Sequence, residues 1–290
     1  MNSKTNEDSL KQEVSKFYNQ IGWQMQDDGF YQNARYEDLR PVSHEYIHRC
    51  HMRVNRYLRR SGKYLLDAGS GPVQYPEYLS YSEKYRYRVC LDISIKALQE
   101  ARVRLQDKGL YVVADVANLP FKSDTFDGIV SLHTLHHIPP EQHAQAYQGF
   151  VRVLTPGSTG VVVNAWTSPK LMARWSWMIR GMDHVNGLLR KLSGRREVEL
   201  KAKTEPTAKK AQPTGTYTQH ITPEWLKEQL TGKVEFDIFV WRSASVRFLR
   251  SVIQPWFAGK LWLRLLYRNE EKNPRYFGEN EQYPLIVIYK

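Results

Sequence analysis

Tyr64-Leu65-Leu66-Asp67-Ala68-Gly69-Ser70-Gly71 is a short apolar run that breaks into a glycine pair. The apolar half reads as a buried strand. The glycines let the backbone turn sharply and let a ligand approach with no Cβ in the way. A helix that starts after such a turn offers free N–H groups and a partial positive charge, which suits a phosphate or a carboxylate. Two residues argue against a dinucleotide. The third glycine of that fingerprint would fall at position 74, where the chain has Gln74. Asp67, two residues before the first glycine, would repel a pyrophosphate and tolerate a cation.

Outward from this turn, strand and helix alternate at short intervals. Arg88 to Asp92, Leu110 to Asp115, Phe126 to Leu132 and Gly160 to Trp166 read as further strands, with Val234 to Trp241 and Tyr283 to Lys290 following later. Helices are expected over 43–60, 95–108, 141–154 and 222–230, the last with Thr222 as N-cap and Pro223 in its first turn. Upstream, Asn2 to Asn19 reads as a polar helix and Gly22 to Arg40 as irregular. The alternation predicts a parallel sheet covered by helices on both faces. Two additions interrupt it. Leu171, Trp175, Met178, Met182, Val185, Leu189 and Leu192 form an apolar stripe at helical spacing, and a loop rich in Lys, Thr and Pro follows to Pro213. A second aromatic, basic helix is expected over roughly 246–267.

Five stretches in order resemble the motifs of class I methyltransferases. Leu66 to Pro72 resembles the first, and Cys90-Leu91-Asp92-Ile93 the second. Ala114-Asp115-Val116 with Asn118 to Phe121 resembles the third, Phe126 to His137 the run after it, and Val151 to Gly157 the turn before the fifth strand. The chain is similar above all to the methyltransferase type 11 group, which includes ubiquinone- and menaquinone-biosynthesis enzymes. The resemblance implies a Rossmann-like, seven-stranded α/β sheet with an antiparallel last strand and helical insertions forming a lid. It implies S-adenosylmethionine as cofactor, with Asp67, Ala68, Gly69, Ser70 and Gly71 at the first turn. Asp92 and Ile93 would serve the ribose, Asp115 and Val116 the adenine, and Leu132 and His133 the methionine side. His133 is the first candidate for a general base, with His137 and Tyr18 after it; Tyr18 belongs to a Phe-Tyr pair that resembles the group's N-terminal lid. Val73 stands where many members have a third glycine, and Pro72 stiffens the turn. The implied regions are a helical lid segment over 1–60, the cofactor-binding core over 61–168, an amphipathic basic insertion over 169–215, and the rest of the core over 216–290 with a second insertion at about 245–280.

The 290 residues are 41% hydrophobic, enough for a sizeable core. The two cysteines, Cys50 and Cys90, exclude a disulfide framework and a four-cysteine zinc site. His133, His136 and His137 lie in a run that metal-free methyltransferases also carry, so no metal is expected. Met1 to Leu10 lacks the order of a signal peptide and no run approaches a membrane span, so the expected compartment is the cytoplasm, with the inner face of the membrane as a surface to touch. The formal net charge is +12, and Lys170 to Lys210 holds eleven Lys or Arg against four Asp or Glu. Such a segment suits nucleic acid, an anionic membrane or an acidic substrate, or is simply a solvated loop. The expected acceptor is a small molecule, a lipid-linked group or a glycan. Nucleic acid is disfavoured as a partner, because no appended RNA-binding module and no Asn/Asp-Pro-Pro-aromatic tetrad is present. An RNA methyltransferase and a nicotinamide oxidoreductase are the alternatives; the oligomeric state is not legible.

Overall fold

In the computed structural model, residues 2–23, 37–59, 61–192 and 216–290 are described. Seven strands form one sheet: β1 (Gly62–Ala68), β2 (Tyr85–Asp92), β3 (Gly109–Val113), β4 (Gly128–Leu132), β5 (Thr159–Val163), β6 (Glu235–Arg242) and β7 (Tyr283–Tyr289). Their order is β3-β2-β1-β4-β5-β7-β6. The first five are parallel, and β7 runs antiparallel to both β5 and β6. This is the expected class I methyltransferase sheet. Because β6 pairs antiparallel with β7, it points the same way as β5, and its last residue, Arg242, comes to the edge where β1, β2 and β4 end.

The sheet is covered on both faces, so its strands are apolar throughout and not alternating. Val161, Val162 and Val163 are all fully buried, alternate ones facing opposite layers. One layer places Phe150, Leu154, Leu226 and Ile288 around Leu66 and Ile129; the other places Leu98, Tyr81 and Trp241 around Leu65 and Val130. Helix starts follow their caps. The Ser94 hydroxyl accepts from the Ala97 N–H at the head of α4 (Ile95–Leu105), and Thr222 does the same for Trp225 at α8 (Pro223–Leu230).

The additions form a helical layer of their own. Residues from α2 (His44–Met52), α7 (Ser176–Leu192), α9 (Val246–Val252) and α10 (Gly259–Lys272) share one apolar cluster that includes Tyr46, Ile179, Leu249 and Leu263. Three of the four regions expected from the sequence therefore meet in a single cluster. Two boundaries differ from expectation. The helix expected over 246–267 breaks into α9, a 3-10 turn at Pro255–Phe257 and α10, because Pro255 cannot continue a helix and Ala258 takes a left-handed conformation (φ 51°). The stripe over 171–192 packs only in its first half. Met178, Ile179 and Met182 meet the cluster, whereas Val185 and Leu189 are exposed. The lysine-rich loop lies outside the described residues. Among the described residues no helix is long and apolar enough to cross a membrane.

Candidate active site

A cavity of about 530 Å³ opens at the carboxyl ends of β1, β2, β4 and β6. Its first wall is the turn after β1. Gly69 and Gly71 both have positive φ (76° and 53°), and a Cβ on Gly69 would fall 2.2 Å from the Thr134 side chain. Val73 keeps a left-handed backbone (φ 53°) although it is β-branched. Its side chain is fully buried with Leu65, Tyr78 and Cys90, and that packing offsets the strain. Gly69, Ser70, Gly71, Asp92, Ile93, Asp115, Val116, Leu132, His133 and His137 all line the cavity, as does Tyr18. Ala68 does not; it is buried inside β1.

The three acids differ in their partners. Asp67 is spent on a residue the sequence reading missed. Arg88 ion-pairs with it through Nε at 2.9 Å and through Nη2, and donates its third nitrogen to the Tyr78 carbonyl. Burial pushes the Asp67 carboxyl up and Arg88 pulls it down, with burial the larger effect. The electrostatic argument from Asp67 against a pyrophosphate therefore fails, since its charge is neutralised in place. Asp115 is bridged at 2.6 Å by Lys11, from helix α1 (Asn2–Phe17), and also accepts from the Ala117 N–H. Asp92 has no basic partner among the described residues. Its two oxygens each accept one backbone N–H, from Gly71 and from Ser94, both at 2.8 Å. Burial raises its carboxyl to about 6 against the pull of those donors.

The histidines are neutral at physiological pH. Burial lowers His133 to about 3, with Arg242 adding to the effect, and lowers His137 to about 4. The tautomer of His137 follows from its neighbours. Nδ1 lies 2.8 Å from the Tyr217 carbonyl, which can only accept, so Nδ1 carries the proton. Nε2 is left as an acceptor for the Tyr18 hydroxyl at 2.7 Å. Both nitrogens of His137 are thus occupied. His133 makes no ring hydrogen bond among the described residues; it sits at φ 55° with its ring edge-on to Trp241 (4.9 Å) and Tyr283 (5.5 Å). Among the described residues no group of three His, Cys, Asp or Glu is arranged to hold a metal ion.

The sequence reading missed the far wall altogether. Trp241, Arg242, Tyr283 and Glu37 line the end of the cavity away from Asp92 and Asp115. The one available signal was positional. A charged residue closes a strand, β6, whose last residue the topology brings to the edge of the cavity.

Fold and cavity together define the class I, S-adenosylmethionine-dependent methyltransferases. The chain carries a domain of that class: residues 66–162 match the family described as "Methyltransferase domain" (Methyltransf_11). A tRNA (carboxymethyluridine(34)-5-O)-methyltransferase of Arabidopsis thaliana is 32% identical over 122 residues, covering 40% of this chain and 28% of that protein. A probable tRNA methyltransferase 9B of Bos taurus is 28% identical over 134 residues, covering 45% of this chain and 28% of that protein. The alignments thus span little more than a quarter of either relative. Among solved structures, phosphoethanolamine N-methyltransferase 1 of Haemonchus contortus superposes with a TM-score of 0.56 at 10% identity, over all of this chain and 50% of that one. That likeness concerns the fold alone.

These relatives correct two expectations. The acceptor expected from the sequence is a small molecule, a lipid-linked group or a glycan, with nucleic acid disfavoured as partner; these two curated relatives are named for tRNA. The lack of an appended RNA-binding module does not argue against RNA in a chain whose net charge is +12. A polyanion can be held by charge spread over the catalytic domain itself.

The cavity fits the cofactor. Each Asp92 oxygen has one lone pair occupied and one to spare, the pattern a vicinal diol needs. The histidines around the cavity carry no charge to oppose a sulfonium.

Proposed function

We propose that this chain is an RNA methyltransferase whose acceptor is a nucleotide of tRNA. The observation that carries the reading is that two curated relatives, aligned over 122 and 134 residues, are named for tRNA. The net charge of +12, concentrated between Lys170 and Lys210, supports it, since a polyanionic acceptor is attracted by just such an excess. The compartment that goes with this acceptor is the cytoplasm.

In this reading Asp92 accepts from both ribose hydroxyls, the 69–71 turn receives the methionine end, and Asp115 and Val116 flank the adenine. The cofactor supplies an activated methyl group and its own leaving group. The chain's part is to hold the acceptor roughly 3 Å from the methyl carbon and exclude water. Neither ring nitrogen of His133 has a partner among the described residues, whereas both of His137 are occupied, so His133 ranks ahead of His137 and Tyr18 as a proton acceptor where one is needed.

The test is transfer of labelled methyl from S-adenosylmethionine to total tRNA, with a lipid extract and a small-metabolite extract in parallel. Label that appears in tRNA and is released by nuclease is the expected result. Label confined to either extract would overturn the reading.

A further inference from the structure

Five of the sixteen exposed large apolar side chains among the described residues fall within ten positions: Trp256, Phe257, Leu261, Trp262 and Leu265. Large rings gathered in one exposed place mark a surface that a partner uses. A tight turn puts them there. Pro255 opens the 3-10 turn, Ala258 takes its left-handed conformation, and a Cβ on Gly259 would fall 2.7 Å from the Gln254 carbonyl oxygen. The Trp262 N–H donates to the Ala258 carbonyl at 3.1 Å, and the Phe257 ring comes to lie alongside Trp262. These two rings are 23° from parallel, with centroids 6.5 Å apart. That is close to twice the roughly 3.4 Å step between stacked nucleotides, the separation that one inserted base fills. Trp256 stands beside Phe257 at 5.8 Å. Charge selects the partner. Lys260, Arg264 and Arg268 recur every fourth residue along α10, all exposed, and no Asp or Glu occurs from Gly259 to Asn269. Arg264 is paired with Glu45, whereas Lys260 and Arg268 are in no ion pair among the described residues.

We infer that Phe257 and Trp262 take an unpaired base of an RNA between them, with Lys260 and Arg268 on the neighbouring phosphates. Rings that receive bases beside cations that receive phosphates are how a protein surface holds a single strand. An anionic bilayer would use Leu261, Leu265 and the cations, but it gains nothing from two near-parallel rings spaced for one base. The inference rests on the RNA reading above for the polymer, and on the rings and cations for the place. None of these four residues lines the cavity, so the nucleotide held here is not the one that receives the methyl group. The surface is nonetheless fixed to the cavity wall. On its other side α10 sends Leu263 and Tyr267 into the cluster shared with α2 and α9. Glu270, near its end, accepts from the Tyr46 hydroxyl at 2.6 Å and from the Ser243 N–H at 3.1 Å. Ser243 directly follows Arg242, which lines the cavity. A strand gripped on α10 is therefore held in a constant relation to the Arg242 end of the site.

The test compares, by fluorescence anisotropy at one salt concentration, a short oligoadenylate with an abasic strand of equal length and charge. The full chain should bind the base-bearing strand about fivefold or more tightly for each base that stacks. Phe257→Ala and Trp262→Ala should each bring that ratio close to one and leave abasic affinity unchanged. Trp262→Phe keeps a ring and should keep most of the preference. Lys260→Gln with Arg268→Gln should do the opposite, leaving the ratio while lowering the salt slope by roughly 0.7 for each phosphate released. A ratio near one in the wild type overturns the inference, whether or not the variants fold. A ratio that survives both ring-to-alanine changes does so as well. Vesicles of phosphatidylcholine and phosphatidylglycerol that sediment the wild type but not Trp262→Ala, with no preference for bases, would make this face a lipid surface and overturn it too. The two readings fail separately. A chain that grips oligoadenylate through these rings yet methylates no RNA refutes the RNA acceptor and leaves the ring pair. One that methylates tRNA with the same KM in Phe257→Ala and Trp262→Ala refutes the ring pair and leaves the acceptor.

Discussion

Asp92 is a carboxylate with two backbone donors, no cation among the described residues and a raised titration point near 6. An acid kept in that condition weakens the fold when ionised, a cost tolerated at sites built for a ligand. The sign of the pH effect follows. Below about 6 the group is protonated and loses acceptor capacity, so affinity for S-adenosylmethionine should fall as pH drops through that value and level off above it. Calorimetry across pH 5 to 8 checks this, and a flat profile counts against Asp92 as the ribose acid. Asp92→Ala should remove two charge-assisted hydrogen bonds, each worth about 1.5–3 kcal/mol. Arg88→Met belongs to stability. It leaves Asp67 buried and unpaired, and breaking such a pair costs about 3–5 kcal/mol, to be read as a lower denaturant midpoint. Neither Arg88 nor Arg242 was legible in the sequence. An arginine in a sequence reads as exposed, and only a tertiary partner such as Asp67 or Glu37 makes its burial tolerable. The acids at strand ends were legible, because a carboxylate after an apolar run and before a helix has few other places to be.

Among the elements, all seven strands lie where apolar runs placed them, and α4 and α8 start at the caps their sequences advertise. Cooperative local signals make such elements readable. What was not readable depends on tertiary packing. The break at Ala258 needs a left-handed residue that is not glycine, and no local pattern announces it. Val185 and Leu189 continue the stripe of Met178 and Met182 in sequence, yet they are exposed and lie outside the cluster that those two join. Helix α1 carries the element-scale prediction. It crosses the cofactor half of the cavity through Lys11 to Asp115, and Ser15 donates to the Ile93 carbonyl at 3.1 Å. Deleting residues 2–17 should speed S-adenosylhomocysteine release severalfold in stopped flow, while the melting temperature of the sheet changes little. An unchanged release rate would show that α1 does not close the site.

For the whole molecule, charge is the property that reaches beyond the cavity. With a net +12, RNA binding should weaken steeply with salt. Changing Lys201, Lys203, Lys209 and Lys210 to Gln should lower the slope of log affinity against log salt by about 0.7–0.9 for each phosphate that is no longer neutralised. A slope that does not move places those lysines away from the RNA. S-adenosylhomocysteine affinity should be the same in both proteins, which separates weaker RNA binding from a failure to fold.

The imidazole of His137 is gripped on one side by Tyr18, just past the end of α1, and on the other by the carbonyl of Tyr217, just past the basic stretch. It works as a latch with two keys. Lose either one and a buried ring nitrogen is left without its partner among the described residues. Tyr18 and Tyr217, 199 positions apart in the chain, are thereby tied to each other through a single side chain.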